Sequence, residues 1–364
     1  MKKLTLIIFC FCLFGCSARI SGKPPALNLQ PKPLALQSVF VDHKTFAPDK
    51  KEIIKIQFQP QRAALATVTI TDQYGRLVKI LMDKKSIPAK LISAQWDGTD
   101  QNGKNVSDGV YYYLIDMADG ADTFKYNPYA MTYGIKVNGT GWFDQDHKRI
   151  QIQMPQAAKV RIRAGIKEGG PLLATPLDWE GFEAGTFYVP WDGKDAFGFF
   201  NVTQHPKYEL SLQAYSLSDN AIIVKGGVSD LEENLQRIKI FDTTIPADRQ
   251  THALHNPAHC HEPKINLDFP ADVKRNPSGI VLAGAKLPVK ITIDPKDWQY
   301  LENTRYEIMI YIDTVFLFED EAGFSPFTYS LDTSKLNKGE HIITVNLLSY
   351  DSHCGIISKK IIVE

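Results

Sequence analysis

The chain has few cysteines, no excess of either charge and, beyond its first residues, no long apolar run. Of five cysteines in 364 residues, Cys10, Cys12 and Cys16 fall within the first sixteen positions, which leaves Cys260 and Cys354. No C-x-x-C pair occurs, which excludes a zinc ribbon, a thioredoxin-type redox motif and a C-x-x-C-H haem attachment. Basic and acidic residues number 41 each. A balanced chain without a basic run has no electrostatic footprint for nucleic acid, and without an acidic tail it offers no cation reservoir. After residue 14 no apolar run approaches the roughly 20 residues of a membrane-spanning helix. G-x-S-x-G, H-E-x-x-H and phosphate-cradling glycine loops are also missing. The expectation is a protein that is not an enzyme and needs no cofactor.

What is present begins at the start. Lys2 and Lys3 precede the apolar stretch Leu4 to Phe14, and Gly15 precedes Cys16. That stretch is too short to span a bilayer and fits a signal peptide. Leu13-Phe14-Gly15-Cys16 resembles a bacterial lipobox. The resemblance implies a lipoprotein signal peptide over residues 1–16, lipidation of Cys16 and, with Ser17 following, an exported protein held at the outer membrane. Residues 17–37 carry Pro24, Pro25, Pro31 and Pro33 and read as an extended Pro-rich tether. The partners expected are the membrane, through this anchor, and a protein of the cell envelope.

The rest reads as all-β. Runs at 66–71, 109–115, 159–163, 208–215, 289–293, 306–311 and 341–346 are β-branched or aromatic, and several alternate strictly, as half-buried strands do. Asp-Gly, Asn-Gly and Lys-Gly turns fall between them. A short helix is expected from Ser229 to Lys239. The division expected is one unit over 38–126, a second over 131–227, a linker over 228–258 and a third unit over 259–364.

One phrase occurs twice. Trp96-Asp97-Gly98-Thr99-Asp100-Gln101-Asn102-Gly103 returns as Trp191-Asp192-Gly193-Lys194-Asp195-Ala196-Phe197-Gly198. From 96 to 191 the copies are 95 positions apart, the size of a small β-sandwich domain and too long for a solenoid repeat. Ala66-Thr67-Val68-Thr69-Ile70 precedes the first copy as Ala158-Lys159-Val160-Arg161-Ile162 precedes the second, and Asn105-Val106 is matched by Asn201-Val202 with one residue more between. The run from Thr67 through Gly109-Val110-Tyr111 resembles an Ig-like domain of the flagellar-hook-cap type (FlgD-like). The second copy keeps the W-D-G-x-D-x-x-G core but has Gln204-His205-Pro206 where the first has Asp108-Gly109-Val110. The third unit, with Phe327 to Asp332 and Lys338 to Val345, resembles a generic bacterial Ig-like domain. These resemblances imply tandem immunoglobulin-like β-sandwiches.

Asp97, Asp100 and Asn102 are closely spaced oxygen ligands, but their spacing is not that of an EF-hand, and Phe197 replaces Asn102 in the second copy. The alternative is structural: Asp-Gly builds a turn and the tryptophan anchors it in the core. On that reading Trp96, Asp97, Gly98, Asp100 and Gly103, with Trp191, Asp192, Gly193, Asp195 and Gly198, are turn and anchor residues. A second constellation is Cys260 among His252, His255, His259 and His261, with His353-Cys354 near the C-terminus. In an exported protein Cys260 and Cys354 read as a disulfide, whose 94-residue loop would contribute roughly 4 kcal/mol in the chain-entropy model. The same region admits a copper or zinc site formed by His255, His259, Cys260, His261, His353 and Cys354, or two free thiols. Glu319, Asp320 and Glu321 read as a solvated loop. Tyr111, Tyr112, Tyr113, Tyr126, Tyr129, Tyr133 and Trp142 read as core or as a carbohydrate-stacking face. The function expected is a scaffold, spacer or adhesion module; the alternatives are a metal-binding and a carbohydrate-binding envelope protein.

Overall fold

The computed structural model describes residues 32–73, 75–128, 135–227, 262–302, 304–350 and 352–364. Contacts divide the chain into Met1–Pro33 and Leu34–Glu364, and all that follows concerns the second of these. The signal peptide, Cys16, most of the tether, the 229–239 helix, and His252, His255, His259, Cys260 and His261 lie outside the described residues. No helix among the described residues is long and apolar enough to cross a membrane.

The architecture is all-β, with strands in several sheets and, among the described residues, only single 3-10 turns between them. Each run read as a strand falls in one: Ala64–Thr71, Gly109–Asp119, Ala158–Ile166, Tyr208–Ser216, Lys286–Ile293, Tyr306–Ile312 and Gly339–Ser349. The last two residues of the expected tether are strand. Leu36 and Gln37 already belong to the strand Leu36–Val41, which pairs antiparallel with Ile54–Pro60 and so satisfies its backbone.

The first core lies between two sheets. One has the order Leu36–Val41, Ile54–Pro60, Ile92–Trp96. The other runs Thr45–Phe46, Ala221–Val224, Gly109–Asp119, Ala64–Thr71, Leu77–Ile87. The alternating Ile54, Ile56 and Phe58 face Val68, Ile70, Tyr113 and Ile115, all buried. The second member of the latter sheet, Ala221–Val224, arrives about a hundred residues after the others and changes the expected division. Asp122–Tyr126 turns back from Gly109–Asp119 and pairs with its second half, Ile115 opposite Tyr126. Ala221–Val224 runs the same way along the first half, Tyr112 opposite Ala221 and Gly109 opposite Val224. Between them Asn220, fully buried, accepts from Tyr113 N at its carbonyl (3.1 Å) and donates its Nδ2 to Tyr113 O (2.9 Å). The last strand of the first sandwich is therefore in two pieces, and the unit between them is an insertion. Residues 221–224, placed by sequence in the 131–227 unit, are hydrogen-bonded into the first.

The inserted unit has its own core between Gly185–Pro190, Arg149–Met154, Thr140–Asp144 and Leu172–Phe182, Ala158–Ile166, Tyr208–Ser216. Its two ends leave side by side: Val137 N donates to Ala214 O at 2.8 Å and Ser216 N to Ile135 O at 2.9 Å. Adjacent ends are what an insertion into another domain requires. The third core, 265–363, repeats without interruption the arrangement of the first sandwich's larger sheet: Val281–Ala283, Cys354–Val363, Gly339–Ser349, Tyr306–Ile312, Val315–Asp320. In both, a short strand runs parallel to the last one.

The split strand seals two faces. Ile222 and Val224 enter the first core beside Tyr111 and Phe46, while Ala221 and Ile223 lie on the other face with Val110 and Tyr112. Gly181 of the insertion closes that second face: a Cβ there would lie 2.7 Å from Val110 Cγ2 and 3.1 Å from Ile223 Cγ1. Ile222→Ala should therefore destabilise the first sandwich by about 3 kcal/mol. Hydrogen exchange at amides 109–112 is the readout; an unchanged rate there would show that the strand is dispensable.

Candidate functional site

The two W-D-G loops correspond bond for bond. Trp96 Nε1 donates to Thr99 O and Trp191 Nε1 to Lys194 O, both at 2.9 Å. Asp97 Oδ1 accepts from Thr99 N (3.1 Å), as Asp192 Oδ1 does from Lys194 N (3.0 Å). Asp100 Oδ1 accepts from Asn102 N and Lys104 N, both at 2.9 Å. Asp195 accepts from Phe197 N (3.1 Å) and Phe200 N (2.5 Å), one residue further on, which is where the second copy has its extra residue. Gly98 and Gly193 accept from Val106 N and Val202 N and close each turn. The carboxylates are thus used on their own backbone, as Asx turns require. Trp96 is fully buried against Phe46 and Tyr111, at 5.4 and 5.3 Å between rings; Trp191 is half-buried against Phe143 at 5.1 Å. Asp97 is held down to about 2: partial burial acts to raise it, but hydrogen bonds from Lys79 and Thr99 and the Lys79 charge outweigh that.

A polar seam that the sequence did not point to joins the inserted unit to the third. Lys159 and Arg161, which alternation placed on a half-buried strand, are both buried. The Arg161 guanidinium lies 4.5 Å from the Trp179 ring and donates to Gln213 Oε1 at 2.7 Å. Arg163 donates to Glu262 at 3.3 Å, and Thr175 Oγ1 donates to the same oxygen at 2.6 Å. Asn346 Oδ1 accepts from Leu172 N (2.8 Å) while its Nδ2 donates to Leu172 O (2.9 Å), so one side chain acts as a strand partner across the seam. Asp178 reaches solvent but is crowded by protein. Loss of water around it and the charge of Glu262 push it up to about 6, against the pull of Arg161, Lys159 and Arg163.

The remaining candidates separate. Cys354 is buried, no disulfide joins it to another described residue, and loss of water around its sulfur raises the thiol's pKa. Its expected partner Cys260 lies outside the described residues. His353 packs against Tyr300, ring centres 6.0 Å apart. No group of three metal-ligating side chains occurs among the described residues. Tyr111, Tyr112 and Tyr113 are buried, on alternate faces of one strand, and Tyr126 stacks on Tyr113 at 5.9 Å. The rings of Tyr111, Tyr112 and Tyr113 are therefore closed to a sugar, Tyr126 is half-buried and Trp142 exposed, and Tyr129 and Tyr133 lie outside the described residues. Glu319 and Asp320 are not loop residues: they end the strand Val315–Asp320, and Glu321 follows it.

Two outcomes follow from this geometry. Gly98 and Gly103 both have positive φ, at 74° and 78°, but a Cβ on Gly98 would lie 2.2 Å from Pro48 Cγ while none meets Gly103 within 4 Å. Gly103→Ala should cost about 1 kcal/mol of backbone strain, and Gly98→Ala about 3 kcal/mol or more as overpacking is added; equal losses in thermal unfolding would contradict the close contact. For Asp178, a carboxyl whose folded pKa stands above its ordinary 3.8 stabilises the fold when protonated. Its contribution is complete below about 4 and is lost as pH rises through about 6. Asp178→Asn should therefore be more stable than the parent at pH 7 and no more stable at pH 4; a pH-independent difference would refute the crowding.

A comparison with curated proteins gives no match. Solved structures similar to the chain include the endo-beta-1,4-mannanase from Thermotoga petrophila, at 16 % identity and a TM-score of 0.22, over 42 % of this chain and 27 % of that one, so the chain spans about a quarter of that enzyme's length. A 1.5-MDa bacterial ice-binding adhesin is similar at 9 % identity and a TM-score of 0.19, over 91 % of this chain and 98 % of that one. At such scores the similarities do not extend to activity or partners. Residues 44–120 match the family model of the FlgD Ig-like domain, so the sandwich that carries the first W-D-G turn is similar to that domain up to the point where its last strand divides.

Proposed function

We propose that this chain is a non-enzymatic cell-envelope module: an exported protein, lipid-anchored at Cys16, whose linked sandwiches act as a scaffold or spacer that presents surfaces to an envelope partner. The split last strand carries this reading. Because Ala221–Val224 is hydrogen-bonded into the first sandwich, the inserted unit is attached by both of its ends, and bending between the two would break a β-ladder rather than flex a linker. The bidentate contact of Asn346 and the Arg163–Glu262 pair extend that stiffness toward the third unit. A stiff, multi-sandwich body suits spacing and assembly. The FlgD Ig-like match over 44–120 supports an Ig-like module as its base.

Two measurements test it. Spin labels at the exposed Leu65 and Tyr188 should give a single narrow distance distribution, unchanged by Asn346→Ala; a broad distribution would remove the stiffness on which the proposal rests. In cells, a labelled fatty acid should enter the parent protein and not Cys16→Ser; equal labelling of both, or of neither, counts against the anchor. In the exported protein we further propose that Cys260 and Cys354 pair, and two titratable thiols after denaturation would refute that pairing.

A further inference from the structure

Among the described residues the strand Val315–Asp320 is the edge of its sheet, paired on one side only, to Tyr306–Ile312. Edges are ordinarily guarded by charge, proline or cover. The edge strand Leu77–Ile87 of the first sandwich follows that rule, with Asp83, Lys84, Lys85 and Ser86 exposed in a row. Val315–Asp320 does the reverse: Val315 is 68 % exposed, Phe316 49 % and Leu317 39 %. Leu317 is the extra residue of a bulge, since Phe316 and Phe318 face the adjacent Tyr311 and Ile310. Phe318, packed at 4.7 Å on Tyr329, fixes the strand to the sheet.

The apolar stretch runs into uncompensated negative charge. Loss of water and the charges of Glu307 and Glu321 raise Glu319 from its ordinary value, and Glu307 shares a hydrogen bond with it. Among the described residues no basic side chain pairs with Glu307, Glu319 or Glu321. Beneath the same end, the buried Tyr306 hydroxyl has no hydrogen-bond partner among the described residues and lies in the field of Asp320. A second copy of this strand does not answer these charges. Antiparallel self-pairing about Leu317 and Phe318 would set Glu319 opposite Phe316 and Asp320 opposite Val315, and would bring no cation.

We propose that this edge is the docking site for an extended segment of a partner protein, which adds a strand to the sheet and carries apolar side chains against Val315 to Leu317 and a lysine or arginine against Glu307, Glu319 and Glu321. Main-chain hydrogen bonds supply affinity in such additions and the alternate side chains supply selectivity. The inference rests on reading the chain as an assembly module and names the surface that would do the assembling.

The probe is a short synthetic peptide of alternating threonine and valine ending in two lysines, with a counterpart ending in two glutamates, each added to the chain without its signal peptide. The lysine peptide should slow hydrogen exchange of amides 315–320 and bind on the order of tenfold more tightly than its counterpart. Glu319→Gln with Glu321→Gln should erase that difference, and Val315→Lys, at an exposed position, should abolish binding while unfolding stays unchanged. Protection by neither peptide, equal affinity for both, or binding that survives Val315→Lys would overturn the proposal. None of these outcomes affects the Leu65–Tyr188 distance or the labelling of Cys16, so a failure here leaves the scaffold reading to its own tests.

Discussion

A β-strand inside a protein has to find partners for the amides and carbonyls along both its edges, because each buried group left without one costs about as much as a lost hydrogen bond. Gly109–Asp119 meets that constraint on one edge with Ala64–Thr71 and on the other with two separate segments, Asp122–Tyr126 and Ala221–Val224. The rest of the described structure depends on this. The first sandwich is not closed until the inserted unit has been made, because Ile222 and Val224 belong to its core. The insertion in turn is held at both ends, and Gly181 fits between Val110 and Ile223 only if the returning strand is in place. Asn220 bridges the break by serving Tyr113 with both its backbone and its side chain, so the ladder is continuous although the chain is not.

Much of the fold class was legible in the sequence because strand periodicity is local. Alternation at Lys159 to Arg163 or Tyr208 to Tyr215 needs only neighbouring residues to be visible. The split strand is not local: nothing in Asp122 to Tyr126 says that the chain will leave, and nothing near 220 says where it returns. The available signal was composition. Ala221-Ile222-Ile223-Val224 is apolar at every position, and all four are buried, as expected of a strand covered on both faces rather than one. A unit boundary drawn at 227 by turn residues and length overlooks that.

The site residues were legible in the same uneven way. The W-D-G phrase could be read as a turn because Asp-Gly chemistry works over four or five residues, and the hydrogen bonds of Asp100 and Asp195 stay within that span. The second loop is the first with one residue added and Phe197 in place of Asn102. It keeps the backbone scheme while its tryptophan moves toward solvent. Lys159, Arg161 and Arg163 misled for the opposite reason. Alternation identifies two faces but does not say which is wet, and here the charged face is the one covered by Trp179, Gln213 and Glu262.

Burial of charge at the seam and exposure of apolar side chains at Val315 to Leu317 follow from one distinction. A permanent contact within one chain can hold guanidinium groups because their partners, Gln213 and Glu262, are supplied by the same fold. Such pairs gain little over an apolar contact but fix register, since any slip leaves a charge buried without its partner. An edge that meets its partner only after folding has to stay soluble beforehand, and the carboxylates of Glu319 and Glu321 beside the apolar stretch serve that purpose. Loss of water and the charges of Glu307 and Glu321 raise Glu319, and a cation placed beside them would relieve that repulsion. The seam therefore specifies one arrangement of the chain with itself, and the edge is left able to pair with another.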